Sequence, residues 1–351
     1  MIVDAEPAFR TRNANPYNAL LYGAVQERGV TVREFSRRAL RMDRPDIVHL
    51  HWPELTFLSS HRDWQSRWRL WAFDRLIRRA RRRGTRLVWT VHNDDAHESR
   101  SSPALRRALE RMLRRQVDGA FVLSAASETA FRARFGPGIP TFRTPHGHYR
   151  DSYPLSGSRA TARKELGIAA QATLLVSVGQ IRPYKNLPAL TAAFRAVDDP
   201  LLRLGIAGRP DSDASAAPLR AAAAVDSRVQ LELERLSDAR MGTWLRAADA
   251  VVLPYGRILN SGSAILALSA ARPVIVPASG AMPELAEAVG SEWVFLYEGD
   301  MSPTVVRSAL DWLRTTHRKS APDLGPLNWD AVAAATVAGY ESLVAAPART
   351  T

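Results

Sequence analysis

Short apolar runs alternate along this chain with stretches in which apolar residues recur every three or four positions, the pattern of parallel sheets wrapped by helices. In the first half, strands are expected at 2–3, 30–35, 46–51, 86–92, 119–123 and 141–144. Helical periodicity fills 17–27, 64–83 and 104–115. A second set of strands is expected at 172–178, 202–207, 229–233, 250–253, 273–276 and 293–295. The reading is an α/β chain of two Rossmann-like, doubly wound parallel-sheet domains in tandem. Open sheets of this kind bind ligands at the carboxyl ends of their strands, so the two domains are expected to face each other across a cleft.

Residues 151–159 (Asp-Ser-Tyr-Pro-Leu-Ser-Gly-Ser-Arg) are rich in turn formers and read as the linker. The expected division is an N-terminal domain over 1–153, a C-terminal domain over 154–327, and a final helix over 328–346 capped by Asn328. Its pattern allows that helix to pack on either domain, a return to the first included.

A length of 351 residues suits two domains, and 46% hydrophobic with 24% charged residues is ordinary for a soluble protein. No apolar run approaches the ~20 residues of a spanning helix, and the N-terminus lacks a signal-peptide pattern, so a cytoplasmic protein is expected. With no cysteine, thiolate metal sites, disulfides and a cysteine nucleophile are excluded. The net charge of +13 points to anionic partners. Only three of the 48 basic residues are lysines (Lys164, Lys185 and Lys319), so arginine abundance reads as compositional bias and a lysine inside a loop gains weight.

Two glycine turns carry candidate chemistry. Gly179-Gln180-Ile181-Arg182-Pro183-Tyr184-Lys185-Asn186 follows one apolar strand, and Asn260-Ser261-Gly262-Ser263 opens a helix after another. Backbone amides at a helix start, beside an Arg and a Lys, are what a diphosphate needs. The bland readings are a surface turn and an ordinary serine N-cap.

Taken in order, the motifs of this chain resemble those of GT-B glycosyltransferases of the family 4 type. The resemblance spans nearly the whole length. It rests on Val178 to Asn186, on Ala207-Gly208, on the run from Ala247 to Tyr255, on Ala271 to Pro277, and on Gly280-Ala281-Met282-Pro283-Glu284-Leu285. In the first half, Asp46 to Trp52 and Thr90-Val91-His92-Asn93 match the family's two histidine-bearing strand ends. Pro145-His146-Gly147-His148 stands where a Pro-Asn-Gly turn is usual.

The resemblance implies a metal-independent hexosyl- or glucuronosyltransferase that uses a UDP- or GDP-linked sugar as co-substrate, with no further cofactor and no metal. Its acceptor would be a glycan or lipid-linked glycan, in surface polysaccharide assembly, and nucleic acid is not an expected partner. Lys185 matches the family lysine. Gln180 stands where the family has an arginine, so that role is assigned to Arg182. The family's paired acids are replaced by Ile258 and Leu266, which leaves the sugar and the stereochemistry open. Gly179, Gln180, Gly208, Arg257, Asn260, Ser261, Gly262, Ser263 and Glu284 are the expected donor contacts.

On the acceptor side, His92 is the catalytic candidate, because an imidazole can accept a proton near neutral pH. Asp94, or Asp95 beside it, is the candidate base if the reaction inverts. Asn15, Tyr17, His51, His146 and His148 are expected acceptor-side contacts, with His49 placed on the opposite face of its strand from His51. The segment 62–83 holds nine arginines with Trp64, Trp68 and Trp71 at helical spacing, beside a second stripe of Leu70, Phe73, Ile77 and Ala80. If one stripe packs and the other faces outward, the helix suits an anionic membrane surface. The rivals are another two-domain enzyme such as an epimerase or phosphorylase, and a binding protein for nucleic acid or an anionic membrane.

Overall fold

The computed structural model describes residues 1–58, 60, 62–92 and 101–347. These form two compact units, Met1–Gly147 with the segment from Pro326 onward, and His148–Gly325. In the first unit the strands are β1 (Ile2–Glu6), β2 (Thr31–Glu34), β3 (Ile47–Leu50), β4 (Arg86–Val91), β5 (Gly119–Val122) and β6 (Thr141–Arg143). They pair in parallel in the order β2-β1-β3-β4-β5-β6. The second unit contains β7 (Thr173–Val178), β8 (Leu202–Ala207), β9 (Val229–Glu232), β10 (Ala250–Val252), β11 (Val274–Pro277) and β12 (Val294–Tyr297). Their order is β12-β11-β10-β7-β8-β9, again all parallel.

Each of the twelve expected apolar runs holds a strand. Helices on both faces explain why β3, β4 and β5 are buried at every position, with no polar-out alternation. Strand order reverses between β1 and β3 in one sheet and between β7 and β10 in the other, which marks where each sheet can hold a ligand.

Several helices escaped the periodicity reading. Arg37–Met42 and Pro53–Phe57 are short, and in Ala125–Phe135 (Ala-Ala-Ser-Glu-Thr-Ala-Phe-Arg-Ala-Arg-Phe) the large apolar residues are only Phe131 and Phe135. What starts the last of these is Ser124, whose hydroxyl accepts the Ser127 amide at 3.1 Å.

The final helix, Trp329–Ala345, is capped by Asn328, whose Oδ1 accepts the Asp330 amide at 3.1 Å. It packs along the helix Tyr17–Glu27 in the first unit. Arg86 fastens its far end by donating from Nε to the carbonyl of Leu343 at 2.9 Å.

The helix Asp63–Arg81 separates its two stripes. Leu70, Phe73, Ile77 and Ala80 are buried, whereas Trp64, Trp68 and Trp71 are 63%, 57% and 59% exposed. Arginine guanidiniums lie over two of the outward rings, Arg37 at 6.0 Å from the Trp68 ring centre and Arg75 at 5.9 Å from that of Trp71. Among the described residues, no helix is long and apolar enough to cross a membrane.

Candidate active site

In the second unit two glycines tie the ends of β7, β8 and β9 together. Gly179 donates to the Ala207 carbonyl at 2.9 Å, and Gly208 to the Glu232 carbonyl at 2.8 Å. Both have positive φ, +97° and +149°, and a Cβ on Gly208 would overlap the Gly179 carbonyl. Two further backbone bonds, Ile181 to Arg209 at 2.9 Å and Asp211 to Ile181 at 3.0 Å, extend the pairing past the strands.

The chain then makes a tight turn, Pro183–Lys185, that folds Lys185 back under the loop. Its Nζ donates to the Val178 carbonyl at 3.3 Å, and the side chain is buried. Burial, reinforced by the nearby Arg182 charge, pushes the ammonium down to about 8. Arg182 stays partly exposed and donates to Gln180 Oε1 at 2.8 Å. Together these place two cations at the carboxyl end of β7, next to the reversal of strand order.

Across that reversal, β10 leads into Tyr255, which stacks on Tyr184 with ring centres 5.8 Å apart. The Gly256 amide donates to the Tyr184 carbonyl at 3.1 Å, so the two glycine turns form one packed floor. Ser261 lies at hydrogen-bond distance from the Tyr255 hydroxyl (2.9 Å), and its Oγ accepts the Ala264 amide at 3.1 Å, capping the helix Gly262–Ser269. Such a helix start adds partial positive charge to that of Arg182 and Lys185. Gly280 (φ +59°) has no room for a Cβ against the Ile258 carbonyl, and Ala281 donates to the Leu259 carbonyl at 2.9 Å. The 257–260 segment is therefore pinned beside the helix Met282–Val289, whose first turn carries Glu284.

In the first unit two hydrogen-bonded polar groups lie side by side in an otherwise apolar core. Thr90 Oγ1 lies 2.7 Å from His49 Nε2, and His49 Nδ1 lies 2.6 Å from the Tyr340 hydroxyl. Beside it, the Tyr22 hydroxyl is 2.6 Å from His51 Nε2. His51 Nδ1 is 2.9 Å from His92 Nε2. Burial, strengthened by neighbouring imidazoles, holds His92 and His51 well below the usual histidine range and His49 down to about 3, so all three are neutral at physiological pH. Trp52 stacks on His92 at 4.2 Å, and the Tyr17 ring stands edge-on at 4.9 Å.

Comparison with known proteins decides the family. The family described as glycosyl transferases group 1 matches residues 172–314, the second unit's sheet and its glycine turns. A GDP-mannose:glycolipid 4-beta-D-mannosyltransferase of Xanthomonas campestris pv. campestris is 35% identical over 320 residues, covering 90% of this chain and 85% of that protein. This chain is a group 1 glycosyltransferase. Solved structures agree on the GT-B fold. Sucrose-phosphate synthase from Thermosynechococcus elongatus superposes with a TM-score of 0.71 at 18% identity, covering 99% of both chains. Anabaena HepE in complex with UDP superposes with a TM-score of 0.64 at 15% identity, covering 98% of this chain and 95% of that one.

The glycosyltransferase gathers most of its expected donor residues around the β7/β10 reversal, as described above. Leu266 is buried and Ile258 partly so, and neither offers a polar group where acids were expected. The acceptor-side expectations fare less evenly. Asn15 accepts the Tyr17 amide at 3.0 Å and so stays at the helix entry, but Tyr17 is buried against His92, His146 and Trp329. His51 is likewise enclosed, beneath His92. His146 bonds its own turn through Nδ1 to the Gly147 carbonyl at 2.9 Å, and His148 belongs to the second unit. Asp94 and Asp95 lie outside the described residues.

One expectation is corrected. His49 does not face away from His51: residues two apart on a strand share a face, and the two rings stack with centres 4.4 Å apart. Tyr22, Tyr340, Thr90, Trp52 and Tyr255 were missed. The first two sit on helices where a tyrosine reads as one more core residue, and only the strand-end histidines signalled that polar partners were required nearby.

Proposed function

We propose that this glycosyltransferase moves mannose from GDP-mannose to a lipid-linked glycan at a membrane surface. The observation that carries the reading is the 35% identity over 90% of the chain to a protein named for that donor and a glycolipid acceptor. Gly179, Gln180, Gly208, Arg257, Asn260, Ser261, Gly262, Ser263 and Glu284 would contact the donor. Arg182 and Lys185 would neutralise the diphosphate as its bond to the sugar breaks, an interaction that strengthens toward the transition state.

A β-linked product from an α-linked donor requires inversion at C1. The C1–O bond to phosphate breaks with its electrons passing to the departing GDP. The acceptor oxygen bonds C1 from the opposite face, and its proton passes to a base. His92, with its lone pair in a buried neutral ring, takes that proton in our reading, with Asp94 two residues on as the carboxylate that a variant comparison must separate from it. Asn15, His146 and His148 would line the acceptor path.

With two cations and a helix start meeting the diphosphate, turnover needs no divalent ion. Dialysis against EDTA is expected to leave the rate unchanged, and a loss restored by Mg²⁺ or Mn²⁺ would contradict this.

The exposed tryptophans of Asp63–Arg81, flanked by arginines, would seat the enzyme on an anionic leaflet, where aromatic rings enter the interface and guanidiniums meet lipid phosphates. Trp64→Ser, Trp68→Ser and Trp71→Ser combined should abolish sedimentation with vesicles containing phosphatidylglycerol while leaving the melting temperature within about 2 °C, because these side chains pack on no core. Retained sedimentation would remove the membrane assignment.

The donor is tested by thermal shift with GDP-, UDP- and ADP-sugars. GDP-mannose should stabilise the enzyme most. Stabilisation by UDP-sugars alone would overturn the choice of donor, and none by any of them would overturn the site.

A further inference from the structure

We propose that the second unit carries a further anion site, separate from the donor turns, in a cavity at the amino ends of its strands, and that its ligand is a small phosphate monoester.

The cavity has a volume of about 350 Å³, near the lower limit for small-molecule sites. It opens where three strands begin, at Thr173 of β7, at Asp249 just before β10 and at Pro273 just before β11. The helix Pro303–Thr315 and the residues that follow it supply another wall. β7 starts at the cavity and ends at Val178, immediately before the Gly179 turn. Six strand residues span about 20 Å, so a ligand that fits the cavity does not reach the donor turns.

Charge around the cavity is unbalanced. Asp249 is the carboxylate at the strand starts, and two guanidiniums already hold it. Arg159 binds Oδ1, while Arg163 donates from Nη2 to Oδ2 at 2.6 Å, beside the Leu174 amide at 2.7 Å. A third guanidinium, Arg272, stands between the lining residues Ala271 and Pro273. It donates from Nε and Nη1 to the carbonyls of Ala270 and Ala248, at 3.1 and 3.0 Å, and pairs with no carboxylate among the described residues. Burial, and then repulsion by Arg159, lower its proton affinity, a cost that a bound anion relieves.

On the helix side Arg314 meets Asp199 at 3.2 Å and Asp311 at 3.7 Å. Arg318 lies over the Trp312 ring at 4.1 Å and donates to the Glu292 carbonyl at 2.5 Å, with the Glu292 carboxylate near enough to favour its charge. Lys319 completes the set. Six cations thus stand against four carboxylates.

Unused donors meet at the same place. The Lys319 ammonium and the hydroxyls of Thr173 and Ser320 all line the cavity, and none of the three hydrogen-bonds another described residue. Lys319 is one of only three lysines in the chain, and Lys185 belongs to the donor turn. An ammonium and two hydroxyls are donors that phosphate oxygens accept from, and a phosphate ester carries close to two negative charges at neutral pH. The rest of the wall is apolar, formed by Ala271, Pro273, Leu310 and Leu313. A bare ion leaves that part uncovered, whereas a compact organic body on the phosphate covers it.

Isothermal titration calorimetry of the full-length enzyme with phenyl phosphate tests the proposal. Wild type should show saturable one-to-one binding, and so should Lys185→Ala, whose change lies at the other end of β7. Lys319→Ala should weaken binding about 10-fold or more, the loss of one charged hydrogen bond, and Lys319→Glu should abolish it. Lys319 is exposed, so both variants should fold as wild type does. Inorganic phosphate should bind more weakly than phenyl phosphate. No saturable binding to wild type, or binding unaltered in both Lys319 variants, overturns the proposal. Loss in Lys185→Ala with retention in Lys319→Ala places the ligand in the donor turns and overturns it as well, and inorganic phosphate binding as tightly as the ester removes the ester as the ligand. The titration uses no nucleotide sugar, so an error in the proposed donor leaves its outcome unaffected.

Discussion

Lys185→Ala is expected to lower kcat by about 10²- to 10³-fold, the cost of removing one preorganised group from a developing negative charge. Lys185 is buried under the Gly179 turn and donates to the Val178 carbonyl, so its ammonium is held by the fold before any donor arrives. That placement has a stability consequence with a definite sign. The ammonium is lowered from its ordinary 10.5 to about 8, because burial disfavours the charged form and Arg182 adds repulsion. The free enzyme should therefore become more stable as pH rises from about 8 to 10.5, and the charged lysine costs stability below that window. Lys185→Met should melt no lower than wild type at pH 7 and lose the pH-dependent gain. A diphosphate ligand reverses the balance by stabilising the ammonium, so donor binding near pH 8.5 should take up a proton in wild type and none in Lys185→Met. Calorimetry in buffers of different ionisation enthalpy measures that uptake. Wild-type turnover in Lys185→Ala would refute the role.

The second large effect is expected at His92. His92→Asn retains a side-chain N–H to offer to His51 but removes the basic ring nitrogen, and kcat should fall about 10²- to 10⁴-fold, the range for loss of a general base. Donor KM should change little, because the donor residues lie in the second unit. Asp94→Asn separates the two candidates. If His92 takes the proton, the Asp94 variant keeps most of its turnover. The reverse pattern, a large loss at Asp94 and a small one at His92, would assign the base to the carboxylate.

Much of the fold was legible because buried parallel strands are uninterrupted apolar runs, and turn formers bound them. The donor turns were legible for a related reason. A glycine after a strand, followed by Arg and Lys, is a local pattern, and its geometry at Gly179 and Gly208 depends on backbone contacts between neighbouring strand ends. The short helices were harder, since Arg37–Met42 spans too few turns to show a period and Ala125–Phe135 is started by a serine cap instead of an apolar face. Least legible were the buried hydrogen-bond partners of the histidines. His49 and Tyr340 are 291 positions apart, and nothing in the amphipathic pattern of the last helix distinguishes a tyrosine that fills the core from one whose hydroxyl orients a histidine. The strand-end histidines were visible, but misplacing His49 on the opposite face hid the stacked pair that joins His92 to the rest.

The central claim is tested most directly by incubating the purified enzyme with GDP-mannose radiolabelled in the sugar and a membrane extract containing lipid-linked glycans. The account predicts that label moves into a solvent-extractable glycolipid sensitive to β-mannosidase, with release of one GDP per mannose. Label that stays in GDP-mannose under conditions where the donor demonstrably binds, or that appears in an α-linked product, would contradict it.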